Sequence, residues 1–216
     1  PVMDATDACP ADACPDGDAS ASAGDVAAPP DAADDLAAPG APMPILPAAP
    51  PPEAGGAFRT QTPGGWGSTC QGNNPGCYRD YWFPVCMPQG LTVGSAQCGQ
   101  TLVLPTSQAI EDLLPVGGMA GALPDGGVLL GHVVAASLSV AFDACNPDYG
   151  TSAVPLAQLV ACPGQPCAGR SVAQMLPDGN AALGGCGDAT AAAACLAAVN
   201  EAFVDGVQST GKLCMP

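Results

Sequence analysis

The sequence predicts an α+β fold: an α-rich globular domain stapled by disulfides, with a small β-sheet, preceded by an extended arm rich in Pro and Ala. Three observations carry this prediction. The 216-residue chain contains twelve cysteines, its composition changes abruptly near Gly55, and most apolar segments beyond residue 105 have helical spacing. We therefore divide the chain into an arm, residues 1–56, and a domain, residues 57–216, which is long enough to enclose a core.

The arm is acidic and has little with which to build a core. Residues 1–56 hold ten of the twenty acidic residues, none of the four Lys and Arg, and no aromatic residue. Such a segment buries too little apolar surface to offset the entropy lost on ordering. The runs Ala27–Pro30 and Ala48–Pro52 favour the stiff polyproline II conformation. A spacer or stalk is the simplest interpretation.

An apolar segment interrupts the arm at residues 43–47. A short apolar segment in an extended arm is typical of a docking element, because a partner must receive it before it can be buried. We therefore predict that the arm docks on a neighbouring copy of the chain. The predicted docking residues are Met43, Ile45 and Leu46.

The acidic tip of the arm offers a weaker alternative, a calcium site. Calcium takes six to eight oxygen ligands, commonly carboxylates at alternate positions with a glycine at the turn. Asp12, Asp16 and Asp18, with Gly17, supply only a fragment of that pattern. A solvated tip closed by one disulfide is the favoured interpretation, and we predict no cofactor for the chain.

The cysteines predict disulfides and an oxidising compartment. No two of them stand in the Cys-x-x-Cys arrangement common in zinc sites, and their even number leaves no thiol over. Pairing cannot be read from sequence, so we take nearest neighbours as the prediction. The predicted pairs are Cys9–Cys14, Cys70–Cys77, Cys86–Cys98, Cys162–Cys167, Cys186–Cys195 and Cys145–Cys214.

The front of the domain combines aromatic residues with turn-forming segments. In Gly72–Tyr78, Pro75 and Gly76 fit the two central positions of a type II turn, so we predict a loop there. Two short strands are predicted next, at Leu91–Val93 and Thr101–Leu104, paired across the loop between them. Together they form the small sheet of the predicted fold.

The remaining segments are predicted to be helical from their apolar spacing and their caps. The longest is ambiguous, because part of it alternates like a strand, and its length decides for a buried helix. The predicted helices are the segment between Pro105 and Pro115, Val128–Phe142, Ser171–Leu176, ended or kinked by Pro177, and Ala189–Val204, capped by Asp188.

These residues also carry a family resemblance. The motifs Phe58–Gly67, Gly72–Gly76 and Leu91–Gly94, with further segments as far as Val199–Gly206, resemble an uncharacterised extracellular domain of large secreted bacterial surface proteins. The resemblance spans nearly all of residues 58–214, and the arm is similar to the Ala, Pro and Asp-rich spacers behind export signals. It implies a location at the cell surface and a non-catalytic role. The high cysteine content departs from the pattern.

Signals for catalysis are few. The chain lacks the G-x-S-x-G, H-E-x-x-H and P-loop motifs. Its single histidine, His132, lies in the most apolar segment, and we predict a core histidine rather than a general base or metal ligand. Glu111 and Asp112 form an acid pair, but adjacent residues on a helix point in different directions, and we expect Glu111 to face solvent. We predict that the protein is not an enzyme.

Charge and hydropathy exclude two further classes of partner. Four cations against twenty acids would be repelled by the phosphates of nucleic acid and by anionic membranes. Val128–Phe142 is too short to span a bilayer, so no membrane span is predicted. Aromatic rings beside amides could instead stack on a glycan, although a small aromatic core explains them better. The candidate ligand-binding residues are Trp66, Asn73, Tyr78 and Trp82.

Two functional hypotheses follow. The first is a secreted structural protein of the cell surface, a subunit of a filament or layer whose arm docks on the next copy. Such head-to-tail contacts repeat without closing. The second is a stalked adhesion or glycan-binding module. Deleting residues 1–56 separates the two, because it abolishes assembly in the first and leaves ligand binding intact in the second.

Overall fold

A computed structural model describes residues 57–115, 127–203 and 209–216 of the chain. The arm therefore lies outside the described residues, with Cys9, Cys14 and the predicted docking and calcium residues. The described part is rich in helices, and its β-structure consists of two short pairs of strands. Five disulfides connect these elements. The predicted α-rich, disulfide-stapled α+β class is confirmed.

Most helices of the described domain begin at a side chain that caps the first turn. Thr62, Asn74, Thr106, Ser171 and Asp188 each accept a hydrogen bond from a backbone amide two or three residues further on. The helices are α1 (Pro63–Trp66), α2 (Pro75–Cys86), α3 (Ser107–Leu113), α4 (Gly127–Cys145), α5 (Val172–Leu183) and α6 (Ala189–Asn200).

The predicted hairpin is confirmed. Strand β1 (Leu91–Ser95) pairs antiparallel with β2 (Gln100–Leu104), with Leu91 opposite Leu104 at the open end. A short 3-10 turn, followed by Gly99 at φ 113°, connects them, and that backbone conformation favours glycine. A second pair, not predicted from the sequence, joins β3, residues 160–161, to β4, residues 213–214.

The core is built around α4, with α1, α2, α5 and α6 packed against it. Eleven of its nineteen residues are buried, including Leu138 and Phe142. Helices α5 and α6 approach each other closely at Gly179, where an added Cβ would lie 2.5 Å from Cδ1 of Leu196. The buried helix predicted at Val128–Phe142 is confirmed, and it extends beyond both predicted ends.

Helix α4 is also long and apolar enough to cross a membrane, judged by length and composition alone. The structure buries 61% of its most apolar window against the rest of the domain, which is typical of the core helix of a soluble protein. The argument that this segment is too short was wrong, because the helix has 19 residues. The prediction that the chain has no membrane span stays a prediction.

The loop predicted at Gly72–Tyr78 is wrong in its second half. Pro75 is the first residue of α2, where its missing N–H costs nothing, and Asn74 caps the helix. Gly76 does not provide the positive φ of a type II turn; it allows close packing instead. A Cβ on Gly76 would lie 2.1 Å from the carbonyl oxygen of Ser68.

Helix α5 was also predicted to stop too early. It runs through Pro177 to Leu183. Its N-terminus is fixed by a capping box between Ser171 and Gln174, and its far end packs on β1, where Asn180 accepts from the amide of Gly94 at 2.7 Å. This packing outweighs the cost of about 3 kcal/mol for a proline inside a helix.

The nearest-neighbour disulfide map is mostly wrong. Only the small loop Cys70–Cys77 is confirmed, and Cys9–Cys14 lies outside the described residues. The other predicted pairs fail because the disulfides tie together elements that are distant in sequence, with Cα atoms 5.2 to 5.6 Å apart. The observed pairs are Cys86–Cys145, Cys98–Cys186, Cys162–Cys214 and Cys167–Cys195.

Candidate functional site

The front of the domain is held by a buried arginine. Arg79 on α2 is fully buried, and its Nη2 lies 2.6 Å from Oε2 of Glu111 and 2.8 Å from Oδ1 of Asp80. Its Nη1 donates to the carbonyl groups of Trp66 and Ser68. The prediction that Glu111 faces solvent is therefore wrong, since its side chain is 19% exposed and joins α3 to α2.

The aromatic residues of the front form an interior cluster. Trp66 and Tyr78 are buried, and their ring centres lie 5.2 and 5.6 Å from that of Phe142 on α4. The indole Nε1 of Trp66 donates to Ser139 at 3.3 Å. Tyr149 closes the cluster, 5.4 Å from Tyr78. The aromatic-core interpretation fits these contacts.

A buried cation lies over two rings of this cluster. The guanidinium carbon of Arg59 is 5.0 Å from the ring centre of Tyr78 and 5.9 Å from that of Tyr149, both within cation–π range. Burial raises the pKa of the Tyr149 hydroxyl, and Ser139 and the charge of Arg59 offset only part of that rise. Tyr149 is therefore a neutral structural phenol at physiological pH.

The four candidate ligand-binding residues do not share one surface. Trp66 and Tyr78 lie in the core, Trp82 is half-buried with its ring centre 6.1 Å from that of Tyr78, and Asn73 is exposed in the preceding loop. A sugar-stacking platform needs ring faces open to solvent. The predicted four-residue platform is not assembled in this structure.

His132 on α4 is partly buried and is held by Asn200 of α6. The Asn200 Nδ2 lies 3.2 Å from the ring Nδ1 and donates to the His132 carbonyl at 3.0 Å. Burial lowers the pKa of His132, and the carboxylate of Glu201 offsets part of the shift. Across residues 57–115, 127–203 and 209–216, no three His, Cys, Asp or Glu side chains gather as a metal site. The neutral ring therefore acts here as a packing and hydrogen-bonding group.

Among the clefts on the described surface, three are large enough to receive a few side chains. One, of about 300 Å³ between α5 and α6, is lined by Arg170, Asp178 and Asp188 among other residues. A second, of about 250 Å³, has Asp80 in its wall. The third, of about 310 Å³, has no charged residue in its lining. We call it the hairpin cleft; it is lined chiefly by Val93, Thr101, Leu102, Leu130 and Leu183.

The hairpin cleft opens beside an unprotected strand edge. Strand β2 pairs with β1 on one side, and no other strand of the described residues pairs with it. Leu102 and Val103 are 38% and 55% exposed, and residues 91–104 contain no charged residue. Natural proteins usually block such edges with charges, prolines or covering segments. The free edge of β2 and the hairpin cleft are the candidate site.

Comparisons with protein-family models, with curated proteins and with solved structures found no match. The resemblance to an extracellular bacterial surface domain therefore stays a prediction from sequence motifs.

Sequence reasoning missed this site because it searched for aromatic and acidic side chains. The available signal was a lack of charge: residues 91–104 run through two predicted strands without one Asp, Glu, Lys or Arg. An uncharged predicted hairpin that ends in Leu102, Val103 and Leu104 indicates an edge without protection.

Proposed function

We propose that the protein is a non-catalytic structural protein of the cell exterior, a subunit of a surface filament or layer whose N-terminal arm docks on a neighbouring copy. The disulfides support the extracellular part of this proposal, since such bonds persist in oxidising compartments. Four of them join elements far apart in sequence, which suits a subunit that must keep its shape outside the cell.

The observation that carries the proposal is the free, uncharged edge of β2. A strand edge that has no partner strand among the described residues, flanked by exposed Leu102 and Val103, favours pairing with another chain. The arm contributes a matching element, its apolar residues 43–47. One donor segment and one acceptor on each copy suffice for an open head-to-tail assembly.

The charged groups of the described domain support a structural role. Arg79 pairs with Asp80 and Glu111, Arg170 pairs with Asp178, and Lys212 pairs with Glu201. Apart from Arg79–Asp80, which are neighbours on α2, each pair joins residues of different segments, and every pair leaves its cation engaged. The second hypothesis, a glycan-binding module, has less support, because Trp66 and Tyr78 are buried.

The test compares the unreduced full chain with a variant lacking residues 1–56. We expect the full chain to form regular filaments or sheets by negative-stain electron microscopy, with a concentration-dependent mass by light scattering. The variant should stay monomeric and keep the near-ultraviolet circular dichroism of the domain, because the arm contains no aromatic residue. A full chain that stays monomeric at high concentration would contradict the proposal.

A pair of charge-matched variants sharpens this test. Ile45→Asp with Leu46→Asp places two carboxylates in the apolar segment, whereas Ala37→Asp with Ala38→Asp adds the same charge elsewhere in the arm. We expect only the first pair to prevent assembly. Equal loss in both would mean that the net charge of the arm controls assembly rather than residues 43–47.

A further inference from the structure

We infer that the free edge of β2 and the hairpin cleft form the acceptor for residues 43–47 of a neighbouring copy, which add to the sheet as a third strand. In this arrangement Met43 and Ile45 lie on the cleft side and Leu46 lies beside Val103. The inference rests on the proposed function and specifies the surface that receives the arm.

Charge selects this surface among the three clefts. The arm carries ten acidic residues and no cation, so any acceptor wall that contains carboxylates repels it. The cleft between α5 and α6 contains Asp178 and Asp188 against a single cation, Arg170, which is already paired with Asp178, and the cleft beside α2 contains Asp80. The lining of the hairpin cleft contains no charged residue. An acidic arm therefore meets the least repulsion at the hairpin.

The prolines of the segment fix which backbone groups can pair. In a strand, the N–H and C=O of one residue point to the same side, and those of the next residue point to the other. Pairing through Met43 and Ile45 keeps both of their N–H donors and turns the ring nitrogen of Pro44 away from β2. Pairing through Pro44 and Leu46 would keep one donor. Pairing through Met43 and Ile45, which we call the proposed phase, is therefore favoured. It places Pro44 with its ring nitrogen towards solvent, where prolines of edge strands are usually found.

The proposed phase also places each apolar side chain of the segment beside an apolar residue of the hairpin. Side chains of a strand alternate between the two faces, so Met43 and Ile45 share one face and Leu46 takes the other. On β2, Leu102 lines the cleft together with its cross-strand partner Val93, whereas Val103 is not among the lining residues. Each predicted docking residue then has an apolar neighbour.

Docking in this phase would also end the sheet. The outer edge of the added strand would present Pro44, which has no N–H to offer a fourth strand. An acceptor that takes one segment and then stops explains how an unprotected edge can remain without uncontrolled aggregation. Each copy provides one edge and one segment, so the number of contacts per subunit is fixed.

The link between the segment and the domain favours a neighbour as acceptor. Nine residues, 48–56, separate Pro47 from Ala57, which limits the distance between these two residues to about 35 Å. The link starts with the run Ala48–Pro52, which favours stiff polyproline II and resists folding back on its own domain. The acceptor edge should therefore lie within about 35 Å of the donor's Ala57.

A peptide titration tests the site directly. The receptor is the full chain carrying Ile45→Asp and Leu46→Asp, whose own segment is disabled, and the probe is a fluorescent peptide of residues 40–49. We expect saturable binding by anisotropy, and no binding of the peptide that carries Ile45→Asp. Absence of binding to this receptor, while the native full chain assembles through its arm, would overturn the acceptor assignment.

Two N-methylated peptides test the strand pairing. N-methylation of Ile45 removes a donor that faces β2, whereas N-methylation of Leu46 modifies a group that faces solvent. We expect the first to bind about tenfold more weakly than the unmodified peptide, from loss of one hydrogen bond, and the second to bind equally well. Equal losses for both would exclude the proposed phase.

Receptor variants locate the edge. Leu102→Asp places a carboxylate in the cleft, and Val85→Asp places one on α2, at a valine that is 49% exposed. We expect Leu102→Asp to abolish peptide binding and Val85→Asp to leave it unchanged. Equal binding to both receptors would contradict the assignment. Leu102→Asn provides a neutral variant if the charged one fails to fold.

The outcomes separate this inference from the proposed function. Arm-dependent assembly that survives Leu102→Asp would refute the acceptor site and leave the structural role standing. A full chain that never assembles would refute the structural role. Cross-links between residues 43–47 and β2 found only within monomers would show that the arm covers its own edge, and would overturn the neighbour as acceptor.

Discussion

The front segment, residues 57–86, and the hairpin, residues 91–104, use their side chains in opposite ways. The front holds Trp66, Tyr78 and two arginines, and the structure turns them inward, into ring contacts and ion pairs. The hairpin has no charged residue and little aromatic character, yet it leaves a backbone edge and two apolar side chains at the surface. The aromatic and charged residues of the front, which suggest a binding or catalytic site, are structural in this domain. The uncharged strand β2 provides the exposed surface.

The two regions should also differ in energy. Arg79 and Glu111 are largely withdrawn from water, so removing one partner leaves an uncompensated charge. An exposed apolar side chain on β2 gives up little when it is replaced, because it gains little on folding. Mutations at the front should therefore change the free energy of unfolding, and mutations at the hairpin edge should change assembly.

The largest expected effect is that of Arg79→Met. Loss of the guanidinium leaves Glu111 and Asp80 without their shared partner, and we expect the free energy of unfolding to fall by about 3–5 kcal/mol in urea denaturation. The control is Arg170→Met, which breaks an exposed pair with Asp178 and should cost about 0–1 kcal/mol. Similar losses in the two variants would contradict the structural role of Arg79.

Removal of the disulfide that anchors the hairpin comes next. Cys98 lies in the connection between β1 and β2, and Cys186 follows α5, 88 residues away in sequence. We expect Cys98→Ser with Cys186→Ser to lower the free energy of unfolding by about 2–5 kcal/mol, since the crosslink restricts the unfolded chain. Calorimetry of both oxidised proteins provides the measurement. Unchanged stability would mean that packing on α5 alone holds the hairpin.

A smaller effect is expected from the pH dependence of His132. Burial lowers the pKa of the folded-state ring below the ordinary value of 6.5, so the unfolded chain binds the proton more tightly. The free energy of unfolding should therefore decrease as pH falls below about 6.5, until the folded ring also becomes protonated. Urea midpoints at pH 7.5 and 5.5 provide the measurement. His132→Gln should reduce this dependence, and an identical pH profile in the two proteins would contradict the assignment.

The smallest expected effect on stability is that of Val103→Thr on the exposed face of β2. The side chain is 55% exposed, and we expect a change within about 0.5 kcal/mol in denaturant unfolding. The same variant should weaken assembly measured by light scattering, because Leu46 of the neighbour loses its apolar partner. A stability loss as large as that of Arg79→Met would show that this face is part of the core.

Local signals in the sequence predict much of this fold. The hairpin follows from two β-prone runs around a short connection, and Asp188 and Thr106 identify helix starts because they cap the adjacent amides. Pro75 and Pro177 misled the prediction for a common reason. A proline restricts one residue, but whether a helix starts at it or continues through it depends on the packing of the whole element.

The disulfides and the candidate site depend on tertiary structure. Cys162 pairs with Cys214 because β3 and β4 lie side by side, which no local spacing of the cysteines indicates. The hairpin cleft exists only when β2 packs near Leu130 and Leu183. The sequence shows that residues 91–104 lack charge, but only the structure shows that β2 has no second partner strand among the described residues.

Hydrogen exchange of β2 amides reports directly whether the segment of a neighbouring copy pairs with the edge of β2. The full chain in its assembled form is compared with the full chain that carries Ile45→Asp and Leu46→Asp. If residues 43–47 of a neighbour pair with the free edge, outward-facing amides within Gln100–Leu104 exchange slowly in the assembly and rapidly in the variant, while α4 amides are equally protected in both. Equal exchange of the β2 amides in the two proteins would contradict the account.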